Sequence, residues 1–145
     1  MMVITLLVQL DLKARASEKR RGVGEVMSVE LCYQLPYPPS VNHIYRRTKR
    51  GGVMLDDKAR AYRDEVIYVI GKGHTAINGP IRVRIDAYMP DKRKRDLDNL
   101  CKSLFDAMTH AGVWKDDSQI DFLIINRAGF ESPGRVLVTV GNIAN

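Results

Sequence analysis

The stretch DKRKRDLDNL, residues 91–100, sets Asp96 and Asp98 one leucine apart, directly behind Lys92, Arg93, Lys94 and Arg95. Two carboxylates at i and i+2 of an extended segment point to the same side, so they can converge on one cation if the strand before them persists that far. A hard ion such as Mg2+ takes oxygen ligands of this kind, one or two carboxylates with waters and substrate phosphate oxygens completing the shell. Two plainer readings compete: a solvated charged turn held by local ion pairs, and Asp98 as no more than a helix N-cap. Lys102 lies four residues beyond Asp98, one turn along the same helical face. An ammonium there could stabilise charge developing on a scissile phosphate or orient the attacking water; an ordinary i,i+4 ion pair is the alternative. A second acidic cluster, VWKDDSQID at 113–121, supplies Asp116, Asp117 and Asp121 from a separate segment and is entered by the only tryptophan, Trp114. That indole reads as a packing anchor for the loop rather than a base-stacking group.

These residues need elements to position them. SVELCYQL alternates apolar and polar side chains from Ser28 to Leu35, the period of a half-buried strand, and stops at PYPPS. The segment VNHIYRRTKRGGVM then reads as a flexible loop in which Arg46, Arg47, Lys49 and Arg50 are interleaved with Tyr45. It is either a phosphate-contacting arm or a solvated loop. Asp56 and Asp57 open a helix over about 57–71 whose Ala59, Tyr62, Val66 and Ile70 recur at helical spacing. IRVRIDAYM, 81–89, is the clearest strand, with Ile81, Val83, Ile85, Ala87 and Met89 on one face and Arg82, Arg84, Asp86 and Tyr88 on the other. A second helix carries Leu100, Leu104, Ala107, Met108 and Ala111 on one stripe and ends at Gly112, a natural C′ position. IDFLIINRAGF and RVLVTVG follow as two strands joined by ESPG, most simply a hairpin. This order predicts an α/β (α+β) fold: a single small domain with a mixed β-sheet packed with two main helices.

The chain has 145 residues, the size of one domain. Its 23 Lys and Arg against 17 Asp and Glu give a formal charge of +6, which favours a polyanionic partner such as nucleic acid. The cations dominate residues 31–80, whereas 81–145 carries acids and cations in near balance, a mixture that suits a catalytic centre better than a binding arm. Cys32 and Cys101 have no CxxC spacing and the three histidines are scattered, which argues against structural zinc and a disulfide framework and for a reducing, cytoplasmic setting. No apolar run approaches the ~20 residues that span a bilayer, so no membrane partner is expected. Residues 1–26 place an apolar run before a charged one, the reverse of a secretory signal. They are expected to be a dispensable extension, with an added strand or a dimer arm as the alternatives, and 27–145 to be the working domain.

PYPPSVNHIYR, KARAYRDEV and MPDKRKRDLDNLCKSLFDAMTHAGVWKDDSQID together resemble the RusA family of Holliday-junction resolvases, from about Leu35 to Val140. The resemblance implies a homodimer that binds branched DNA, the four-way junction, and makes paired symmetric Mg2+-dependent nicks in DNA recombination and repair, in a cytoplasmic, nucleoid-associated setting. It places the essential acids on Asp96, Asp98 and Asp117, holding Mg2+, and the essential lysine on Lys102, with Asp116 a neighbour that tunes metal affinity and no small-molecule cofactor. Phosphate contacts then fall to Arg46, Arg47, Lys49 and Arg50 and to Lys92, Arg93, Lys94 and Arg95. Two rival classes stay open: a non-catalytic branched-DNA-binding protein, and a nucleotide-sugar transferase using DxD to hold a metal-bound diphosphate.

Overall fold

The computed structural model describes residues 30–40 and 45–143; the expected extension, 1–26, and the start of the domain at 27 lie outside them. The described chain runs β1 (Glu30–Pro36), β2 (Tyr45–Arg47), β3 (Val53–Leu55), α1 (Asp57–Ile70), β4 (Ile81–Met89), a 3-10 turn (Asp98–Leu100), α2 (Cys101–His110), a second 3-10 turn (Asp117–Gln119), β5 (Ile120–Phe130) and β6 (Arg135–Asn142).

β4 organises the sheet. Its alternate residues Ile81, Val83, Ile85, Ala87 and Met89 are at most 1 % exposed, and a strand that buries a whole face this completely belongs in the middle. The order is β1-β6-β4-β5, with β6 antiparallel and β5 parallel to β4. The expected hairpin of the last two strands is therefore wrong: β5 and β6 flank β4 on opposite sides. Their link, residues 131–134, crosses the end of β4, where the Glu131 amide donates to the Met89 carbonyl at 2.8 Å. β6 contributes Val136, Val138 and Val140 to the core, each fully buried, whereas β5 leaves Phe122, Leu123, Ile124 and Phe130 exposed at the sheet edge. Burial, not chain order, decides which strand takes the second central place.

Both helices cover the same face of this sheet. Asp56 caps α1 by accepting from the Lys58 amide at 3.0 Å, and Ala59, Tyr62 and Val66 face inward. α2 packs beside it through Leu104, Ala107 and Met108, with Leu100 buried just ahead. At the end of α2 Gly112 takes φ +80°, a conformation other residues resist. Trp114 anchors the exit, 1 % exposed, its Nε1 donating to Thr109 Oγ1 at 2.7 Å and its ring edge-on to Phe105. The packing-anchor reading of Trp114 thus holds, as does the mixed sheet with two main helices.

The opposite face of β4 carries the polar set. Arg84 pairs with Asp86 at 2.9 Å, Arg82 with Glu30 at 2.8 Å, and the Arg135 guanidinium lies 3.8 Å from the centre of the Tyr88 ring. The basic segment expected as a loop is instead a short hairpin, β2 against β3, closed by Thr48 and Gly52. The Thr48 hydroxyl accepts from the Gly52 amide at 3.0 Å, which fixes the tip.

Candidate active site

β4 ends at Met89, so the extended geometry that would aim Asp96 and Asp98 to one side does not reach them. Asp96 sits in the loop after β4, Leu97 is already helical (φ −66°, ψ −31°), and Asp98 opens the 3-10 turn that runs into α2. Asp98 caps neither element, since the cap positions are Leu97 and Leu100 and neither has a side-chain cap bond. The helix-cap reading of Asp98 therefore fails. Nor do Asp98 and Lys102, one turn apart, form the i,i+4 pair that was the alternative to a catalytic lysine. Among the described residues Asp96, Asp98, Asp117 and Lys102 have no side-chain hydrogen bond or ion pair, and all four are exposed.

The loop that carries Asp96 is tied down by its neighbours. Asp91 accepts the Arg93 amide at 2.8 Å and takes both terminal nitrogens of Arg95, Nη1 on Oδ1 and Nη2 on Oδ2, the latter at 2.9 Å. The Arg95 guanidinium, followed by the Arg93 amide, holds the Asp91 carboxyl far below the usual carboxylate range. From β5, Arg127 Nη2 donates to the Arg95 carbonyl at 2.8 Å. Of the four cations in this run, Lys92, Arg93 and Lys94 are exposed, while Arg95 is turned onto Asp91.

Asp117 stands at the other end of the sheet. Asp116 caps the second 3-10 turn by accepting from Ser118 at 2.9 Å, and Gln119 completes the capping box by taking the amides of Lys115 and Asp116. Gln119 Nε2 also donates to the carbonyls of Ile77 and Gly79, each at 2.9 Å, fastening the turn beside the start of β4. The register pairs Ile120 with Ile81 at that end and Arg127 with Ala87 towards the other. Six residue steps along β4 separate these rows, about 20 Å at the usual rise. In keeping with this, no group of three or more acidic, histidine or cysteine side chains among the described residues is close enough to hold one ion. Asp96 and Asp98 offer the oxygen donors that Mg2+ takes, and neither is engaged elsewhere; Asp117 of the same chain is out of their reach.

The structural roles of Asp91 and Arg127 were not anticipated from sequence. Gln119 was equally missed, although the spacing Asp116-x-x-Gln119 carries the capping-box signal; nothing comparable marks Arg127. The remaining expected DNA contacts cluster on the hairpin. Arg46 is drawn to Asp57 at the start of α1 by an ion pair of 3.1 Å, with both partners more than half exposed, while Arg47, Lys49 and Arg50 are exposed. No helix among the described residues is long and apolar enough to cross a membrane.

Comparison with known proteins places the chain in a family. The profile of the family described as Endodeoxyribonuclease RusA matches residues 36–141, a span that contains both acidic clusters and the basic hairpin. The chain is 41% identical over 114 residues to the crossover junction endodeoxyribonuclease rusA of Enterobacteria phage 82, covering 77% of this chain and 93% of the relative. It is 40% identical over 113 residues, with the same coverage, to the crossover junction endodeoxyribonucleases RusA of Escherichia coli (strain K12) and Shigella sonnei (strain Ss046).

Proposed function

The chain belongs to the RusA endodeoxyribonuclease family, and we propose that it is a Holliday-junction resolvase in which Asp96, Asp98 and Asp117 hold Mg2+ and Lys102 assists the cut. One observation carries the reading. In each acidic cluster one aspartate is engaged in structure, Asp91 on Arg95 and Asp116 on Ser118, while Asp96, Asp98 and Asp117 have no partner among the described residues. Unpaired carboxylates in a basic DNA-acting chain repel the substrate unless they hold a cation, which supports a metal-binding role for them.

Bound Mg2+ would supply an activated water and polarise the phosphoryl oxygen. The chain's own residues do the rest. The Lys102 ammonium, exposed and unpaired one turn past Asp98, is available to a phosphate whose charge grows in the transition state. Arg47, Lys49 and Arg50 at the hairpin and Lys92 and Lys94 in the loop are free to take backbone phosphates, with the exposed Arg93 beside them in a long 3.9 Å pair with Asp91, and these contacts give register and affinity rather than chemistry. Asp116 acts here as the cap that orients Asp117.

The third acid comes from a second copy. β5 is an edge strand of eleven residues with Phe122 54 % and Phe130 53 % exposed, and a long apolar edge of this kind is a template for another strand. Antiparallel pairing of two β5 strands about a two-fold axis sets the start of each beside the end of the other. Asp117 lies before the start of β5, and the Arg95–Asp96 segment touches Arg127 near its end. The homodimer thereby supplies Asp117 of one subunit to Asp96 and Asp98 of the other, and gives two matched sites for paired nicks.

The test is cleavage of a synthetic four-way junction beside linear duplex of the same sequence, with Mg2+ and with EDTA. We expect Mg2+-dependent paired nicks in the junction alone, and Asp96→Asn or Asp117→Asn that bind the junction without cutting it. Binding without cutting by the wild-type chain would establish the non-catalytic alternative, and wild-type cutting by either variant would remove that acid from the site.

A further inference from the structure

Arg127 lies on β5, and its side chain reaches out of the sheet to a backbone atom of a different segment. Its Nη2 donates to the carbonyl of Arg95, the residue immediately before Asp96. The strand is shaped for this contact. Ala87 pairs with Arg127 but Tyr88 pairs with Gly129, so Ala128 is an extra residue and the ladder is irregular directly after Arg127; bulges of this kind re-aim a neighbouring side chain. The other end of Arg95 is held as well, by its two-nitrogen grip on Asp91. Burial pushes the Tyr37 phenol up, offset only in part by the two guanidiniums it stands near, and its hydroxyl lies 3.1 Å from Met89 Sδ. The peptide leading into Asp96 is thus fixed through its carbonyl by β5 and through its preceding side chain by Asp91.

Resting on the reading of Asp96 as a metal-holding carboxylate, we propose that Arg127 is a positioning residue for Asp96. It clamps the Arg95 carbonyl so that the 91–97 loop presents the carboxylate in one orientation. Because Arg127 belongs to the strand that leads back to Asp117, the same strand sets the distance from the site to the dimer edge. A guanidinium suits the task because its planar fork is pre-organised and charged at every working pH. An obvious competing role is a phosphate contact, since Arg127 is a basic side chain near the site. The two roles separate in experiment: a clamp acts on the loop and the metal before any DNA is present, a phosphate contact only on DNA.

The test uses the full chain with Arg127→Met and Arg127→Lys. Three quantities are read: the rate of tryptic cleavage after Lys92–Arg95, Mn2+ affinity by titration without DNA, and junction affinity in EDTA. We expect Arg127→Met to cleave faster in the loop and to lose about ten-fold or more in Mn2+ affinity, as loss of a supporting partner does at other metal sites. Junction affinity in EDTA stays at the wild-type value, and Arg127→Lys recovers part of the Mn2+ affinity because an ammonium can still donate to the carbonyl. Unchanged tryptic and Mn2+ behaviour overturns the clamp, as does a loss of junction affinity equal to the loss of cutting, or a variant that simply becomes monomeric. Should Arg127→Met fail to fold, Asp91→Asn loosens the same loop from its other anchor and is held to the same three readouts. Asp96→Asn run alongside separates the two levels: if it keeps full Mn2+ affinity, the site assignment fails, whereas the tryptic rate still reports whether Arg127 orders the loop.

Discussion

Tyr62 buries its hydroxyl in the core between α1 and the sheet with no hydrogen-bond partner among the described residues, and burial pushes its phenol well above the ordinary range. A buried donor left unmade costs about 1–3 kcal/mol, so Tyr62→Phe should hold or raise stability by up to about 1 kcal/mol in a denaturant titration. A loss of the same size would mean that the hydroxyl has a partner. Asp91 shows the opposite case, a half-exposed acid with many partners. Its pKa in the folded chain is depressed, so the clamp contributes fully above the ordinary value of 3.8 and is lost only as the pH falls below it. The amide chemical shifts of the 92–95 loop should accordingly stay flat through the neutral range and move only in acid. A step near neutrality would point to a different group holding the loop.

At the scale of elements, β4, α1 and α2 were legible because each repeats one pattern along a single buried face, and a face buried throughout leaves no second register. The placement of β5 and β6 was not. IDFLIINRAGF has apolar side chains on both faces, so its composition does not distinguish an edge strand from a central one, and a link as short as ESPG fits either a hairpin or a crossing over the end of β4. The aim of Asp96 and Asp98 was misjudged because β4 stops at Met89, where Pro90 has no amide to continue the ladder, so extended geometry does not reach them. The exposed edge of β5 yields the prediction at this scale. Phe122→Lys with Ile124→Lys puts charge along an edge that the core does not use, as natural edge strands do to block pairing. Sedimentation should give a dimer for the wild type and a folded monomer for the double variant, with Mn2+ affinity lost together with assembly. A double variant that remains dimeric would move the interface away from β5.

For the whole molecule, the sequence motifs name three carboxylates while about 20 Å of strand separates the Ile120 row, beside Asp117, from the Arg127 row that touches the segment of Asp96. A site shared across a two-fold axis reconciles the two, and it makes a demand that a site within one chain does not. In a heterodimer of Asp96→Asn with Asp117→Asn, one site collects both substitutions and the other collects none. If each site lies within one subunit, every site carries one substitution. The two variants, each inactive alone, should therefore regain nicking when mixed and allowed to exchange subunits. At equal proportions half the dimers are mixed and each has one intact site, so roughly a quarter of the wild-type sites return. Their product is also diagnostic: one nick per binding event in place of paired cuts, because the second strand meets the doubly substituted site. Mixed dimers shown to form yet unable to nick would confine the site to a single chain and leave the separation of Asp117 from Asp96 to be closed by a movement of the 3-10 turn instead.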